Sequence, residues 1–103
     1  MEILVVGRDT AILEVVRRLI DSHPGWTATT ATGEKEAVDL FRQGNYPIVF
    51  IGAGFSQKEE EALRQRLLQL DPAVTVTRHY GGGSGLLENE ILAILQTKKI
   101  TDG

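Results

Sequence analysis

Two short segments of this chain are apolar at every position. They are ILVV at residues 3–6 and IVFI at residues 48–51, and each ends at a glycine, Gly7 or Gly52. Side chains of a strand alternate between faces, so a run with no polar member must be buried on both sides. That is the requirement of a central strand in a parallel sheet covered by helices above and below.

The segments between them have helical period. Ile12, Leu13, Val15, Val16, Leu19 and Ile20 form one stripe, with Asp9 or Thr10 as cap and His23-Pro24-Gly25 as stop. WTATTAT, residues 26–32, is Thr-rich and alternating, which predicts an edge strand. GEKEAVDLFRQG predicts a helix with Ala37, Val38, Leu40 and Phe41 inward and Gly44 as its C-terminal stop. Ser56-Gln57-Lys58-Glu59 is a capping box opening a third helix, with Ala62, Leu63, Leu67 and Leu70 inward and Asp71-Pro72 as its end. VTVTRHY, residues 74–80, predicts a fourth strand. LLENEILAIL predicts a fourth helix after the glycine loop at residues 81–85, with Lys98 and Lys99 at its negative end.

Such strict βα alternation implies right-handed crossovers. The fold class is therefore α/β: a three-layer α/β/α sandwich with a four-stranded parallel sheet in the order 2-1-3-4. Its 103 residues fit one domain, taken as residues 1–97, with residues 98–103 as a frayed tail.

Composition removes several functions. Net charge is −3, and Lys and Arg do not cluster into a basic face, so no nucleic-acid partner is expected. The chain has no cysteine, which excludes disulfides, thiolate metal sites and Cys nucleophiles. No apolar run approaches the ~20 residues of a membrane span. Met1-Glu2 leads straight into ILVV without a basic region, so no signal peptide is expected. A cytoplasmic protein with no membrane partner, metal or cofactor is the expectation.

In an open parallel sheet, ligands bind beyond the carboxyl ends of the strands. Gly7-Arg8-Asp9, Gly52-Ala53-Gly54 and Thr77-Arg78-His79 fall there. Gly52-Ala53-Gly54 lacks the third glycine of a dinucleotide fingerprint, since position 57 is Gln57. Its glycines either expose N–H groups to an anion or make a tight turn. Arg8 and Arg78 could hold an anion together, with Gly52 and Gly54 as backbone donors. Asp9 reads as a helix cap. His79 has no identified acid partner, and His23 lies at the opposite end of the sheet.

ILVVGRDTAILEVVRRLI resembles the opening of bacterial response-regulator receiver domains, typically ILVVDDDPAILELLRRLL. ATGEKEAVDLFRQGNYPIVFIG resembles their next segment, up to the third strand. The resemblance covers roughly the first half of the chain. It implies the receiver (CheY-like, flavodoxin-like) fold and a role in two-component signalling. It also implies what is missing. The phospho-accepting Asp of receivers corresponds to Gly52, and their Mg²⁺-binding acidic pair to Gly7 and Arg8. A cation at that position repels Mg²⁺.

Receivers have five strands, and one βα unit is missing here. The last strand matches receiver strand four, with Thr77 at the switch hydroxyl, or strand five, with Arg78 at the lysine. The shortened sheet leaves Val74, Thr75, Val76, Thr77, Arg78 and Tyr80 on an outer edge. That edge is the expected interface for a protein partner or a homodimer. The expectation is a non-enzymatic, phosphorylation-independent pseudo-receiver. The alternatives are anion or nucleotide binding at the strand ends and, further off, a phosphotransfer subunit similar to sugar-transport IIB components. Those carry a phosphorylated Cys or His after the first strand, where this chain has Gly7.

Overall fold

The computed structural model describes residues 1–52, 54–78 and 93. Along them run β1 (Glu2–Val6), α1 (Thr10–Asp21), β2 (Thr27–Ala31), α2 (Glu34–Gln43), β3 (Ile48–Ile51), α3 (Gln57–Leu70) and β4 (Thr75–Arg78). The sheet is parallel throughout, in the order β2-β1-β3-β4, as the alternation of segments predicts. The predicted fourth helix apart from Ala93, the glycine loop at 81–85, His79, Tyr80 and the tail at 98–103 lie outside the described residues.

The doubly apolar strands separate two cores. Leu4, Val6, Val49 and Ile51 face α2 and α3, packing on Ala37, Val38, Phe41, Leu63 and Leu67. Ile3, Val5, Ile48 and Phe50 face the other way, with Leu13, Val16 and Ile20 of α1. Three layers result.

Two helices bury a narrower stripe than their sequence suggests. Ile12 and Val15 are 45% and 57% exposed, although both lie within the periodic stripe of α1. In α3, Ala62 is exposed and Leu70 is 47% exposed, whereas Glu60 is buried at 6%. The buried α3 positions 60, 63 and 67 are one i, i+3, i+7 line, the part of a helix that touches a flat sheet. Leu70 lies off that line and opens instead onto a cleft with Phe41, Arg42, Tyr46 and Asp71.

The two sheet edges differ. Thr27 donates its N–H to Met1 O at 2.9 Å, so the N–H of Ala28 points away from β1. Asp21 Oδ1 accepts that outward N–H at 2.8 Å, and Glu36 Oε1 accepts the N–H of Thr32 at 3.0 Å. The β2 edge is thereby capped by side chains. On the other edge, Thr75 donates to Pro47 O at 3.0 Å, which turns the N–H and C=O of Val76 outward. Val74 precedes the strand rather than starting it. It is a core residue, 5% exposed, with its N–H donated to Asp71 O.

Leu63→Ala is expected to cost about 3 kcal/mol by urea denaturation, the range for a buried leucine. Leu70→Ala should cost less than about 1 kcal/mol. Equal losses would show that Leu70 is a core residue after all.

Candidate functional site

The carboxyl ends of β1, β3 and β4 come together at one rim of the sheet. Val6 pairs with Ile51, and the N–H of Gly52 donates to Val6 O at 2.7 Å, so Gly7 and Gly52 stand side by side. Asp9 turns away from this rim. Its Oδ1 accepts the N–H groups of Ala11 and Ile12 at 3.0 and 3.2 Å and caps α1.

Arg8 crosses from the end of β1 to the start of α3. Its Nη2 donates to Glu59 Oε2 at 2.5 Å, and its guanidinium lies 4.6 Å above the ring centre of Phe55. Glu59 Oε1 accepts the Ser56 N–H at 3.0 Å, while Ser56 Oγ accepts the Glu59 N–H at 3.1 Å. One carboxylate thus completes the capping box and holds Arg8. The Ser56 N–H, and after it the Arg8 charge, lower the Glu59 pKa below the usual glutamate range.

The two glycines of the loop have different reasons. Gly54 has φ +100, and a Cβ there would lie 2.9 Å from Arg8 Cβ, so both the turn and the Arg8 stem demand glycine. Gly52 has no positive φ, and its Cβ would meet nothing nearer than Val6 O at 3.4 Å. The backbone at position 52 accepts a side chain, and the sequence declines to place one.

Arg78 ends β4 on the α3 face of the sheet, in register with Ile51. Its Nη2 donates to Glu60 Oε2 at 2.5 Å. Arg8 and Arg78 therefore each meet their own carboxylate, on successive residues of α3, instead of converging on one anion. His23 stacks on Trp26 with ring centres 3.4 Å apart, away from the rim. No group of three His, Cys, Asp or Glu among the described residues is arranged to hold a metal ion.

Sequence reasoning found the capping box but not the further partners of its acids. The run Glu59-Glu60-Glu61 looks like a solvated face. The signal that separates its members is the pair of arginines at the ends of β1 and β4, each of which needs a nearby carboxylate.

No family model matches the chain, and a search of curated proteins finds no match. Solved structures do match. A two-component response regulator from Clostridium difficile superposes with a TM-score of 0.76 at 14% identity, over 93% of this chain and 96% of that one. A response regulator receiver domain protein (CheY-like) from Methanospirillum hungatei JF-1 gives 0.75 at 15%, over 99% and 98%. The signal receiver domain of an HD domain-containing protein from Pseudomonas fluorescens Pf-5 gives 0.67 at 25%, over 85% and 64%. This chain has the receiver fold. Within it, Gly52 follows β3, where the resemblance places the phospho-accepting Asp, and Gly7 and Arg8 follow β1, where it places the acidic pair.

Two outcomes test this geometry. Gly54→Ala should destabilise the protein by more than about 1 kcal/mol, because it forces a positive φ and displaces Arg8. A stability equal to wild type in urea would refute the Arg8–Gly54 packing. For Glu59, the folded-state pKa is depressed, so its contribution is present above the unfolded glutamate value of ~4.3 and is lost as pH falls through the folded value. The urea midpoints of wild type and Glu59→Gln should differ at pH 7 and draw together in acid. A constant gap from pH 7 to 3 would contradict the assignment.

Proposed function

We propose that this chain is a pseudo-receiver: a non-enzymatic, phosphorylation-independent signalling module that acts by binding a protein. The observation that carries this is Arg8. A guanidinium bracketed by Glu59 and Phe55 stands where the receivers' metal-binding acid belongs, beside a Gly52 that has no carboxylate to phosphorylate. Neither the acceptor nor its metal site has the required chemistry. The setting we infer is a bacterial two-component-type pathway in the cytoplasm.

The surface offered to the partner is the β4 edge, Thr75, Val76, Thr77 and Arg78. The occupant is another protein or a second copy of the chain. Among the described residues no helix is long and apolar enough to cross a membrane. Anion or nucleotide binding at the rim is the second reading. It is weakened by the carboxylate already held by each of Arg8 and Arg78. Calorimetric titration with phosphate and nucleotides separates the two. The IIB-like phosphotransfer reading has no nucleophile after β1, where Gly7 stands.

The test is acetyl phosphate with Mg²⁺, read by intact mass. Wild type should gain no phosphoryl group. Gly52→Asp alone should also stay unmodified, because Arg8 still excludes the metal. A phosphoryl adduct on the wild-type chain would overturn the pseudo-receiver reading. A strictly monomeric species by light scattering at high concentration would remove the homodimer form of it.

A further inference from the structure

At the end of the sheet opposite the rim, a cleft of about 390 Å³ opens where α2 and α3 end, within the size range of small-molecule sites. Phe41, Tyr46 and Leu70 give it an apolar lining. Phe41 and Tyr46 are buried, with ring centres 6.4 Å apart, whereas Leu70 is 47% exposed. A Cβ at Gly44 would lie 2.7 Å from Tyr46 Cε2, so the missing side chain lets the Tyr46 ring lie against the backbone there. The φ of Gly44 is −119, open to any residue, so space rather than conformation calls for this glycine.

Two opposite charges line the same cleft and do not pair. Arg42, in the last turn of α2, makes no hydrogen bond or ion pair among the described residues. Every other arginine of the chain lies 3.8 Å or less from a carboxylate. Asp71, at the end of α3, uses Oδ1 to accept the Ala73 N–H at 3.0 Å, and its Oδ2 has no partner among the described residues. The last carbonyls of α3 add partial negative charge beside it. One wall therefore favours a cation and the other an anion, with an apolar floor shared between them.

We propose that this cleft binds a free α-amino acid with an apolar side chain. The ligand's ammonium would meet Asp71 Oδ2 and the carbonyl end of α3, and its carboxylate would meet Arg42. Its side chain would lie on Leu70, Phe41 and Tyr46, where it leaves water together with the exposed leucine. Charge complementarity decides the class. An apolar amine or an apolar acid answers one wall, whereas a zwitterion answers both. The cleft is far from Arg8 and Gly52, so this inference does not depend on how the rim is read.

The experiment is a titration of the full chain with L-leucine, N-acetyl-L-leucine and L-leucinamide, followed by backbone amide shifts in two-dimensional NMR. Leucine should move the amides of Gly44 and Asp71 and leave those of Gly7 and Gly52 in place. The N-acetyl compound has no ammonium and the amide has no carboxylate. Each should bind about tenfold more weakly than leucine, the loss of one hydrogen bond between charged groups. Arg42→Gln should erase the preference for leucine over leucinamide. Asp71→Asn keeps Oδ1 for the Ala73 N–H and should erase the preference for leucine over N-acetyl-leucine. Leu70→Ala should weaken all three compounds.

Equal binding of the three compounds would overturn the zwitterion, since an apolar cleft alone would explain it. Shifts confined to Gly7 and Gly52, or no shifts at millimolar leucine, would overturn the site. Leucine binding that neither charge variant changes would overturn the roles of Arg42 and Asp71, and with them the proposal. If Asp71→Asn does not fold, Arg42→Gln with leucinamide decides alone.

Discussion

Burial of β1 and β3 on both faces is the constraint on which the rest of the molecule depends. Each apolar side chain of this central pair is at most 3% exposed and contributes about 1.5–3 kcal/mol. Because both faces are apolar, helices must lie on both, and short crossovers must return every strand parallel to the last. The carboxyl ends of all strands are then delivered to one rim. The loops at that rim are free of the packing demand that fixes the strands, so their chemistry can change while the fold stays.

The rim shows that freedom in use. The Arg8–Glu59 pair is half exposed, and exposed pairs contribute less than about 1 kcal/mol. Its effect is positional: it ties the loop after β1 to the N-terminus of α3 across Gly54. The Glu60–Arg78 pair is a different case. Glu60 is buried, so desolvation offsets much of the Coulombic gain, and removing either partner would strand a charge. That pair fixes how the end of β4 sits under α3, and it leaves Arg64 without a carboxylate within hydrogen-bonding distance.

Much of this was legible in the sequence, for identifiable reasons. The runs at residues 3–6 and 48–51 announced two-sided burial, and the period of the intervening segments gave the helices and the strand order. Ser56 and Glu59 announced their capping box because both members lie within one turn. The exposure of Ile12, Val15 and Leu70 was not legible. Stripe width depends on what lies beneath a helix, which a local period does not contain. The burial of Glu60 was hidden for the same reason: its partner Arg78 is distant in sequence, and only the β3–β4 register brings it near. The rim arginines were visible as a pair, but their separate carboxylates were not.

Gly52 and Gly54 look alike in the sequence and differ in kind. Gly54 is held by its φ and by the stem of Arg8, whereas Gly52 is held by nothing steric. A carboxylate restored at position 52 would fit the backbone and still face a cation at position 8. That cation is itself kept in place by Glu59, Phe55 and the glycine at 54. Replacing Arg8 alone would free Glu59 from one partner and leave the room made at Gly54 unfilled. Positions 8, 54 and 59 are therefore coupled. The rim is internally consistent as a charge-compensated cap on the sheet.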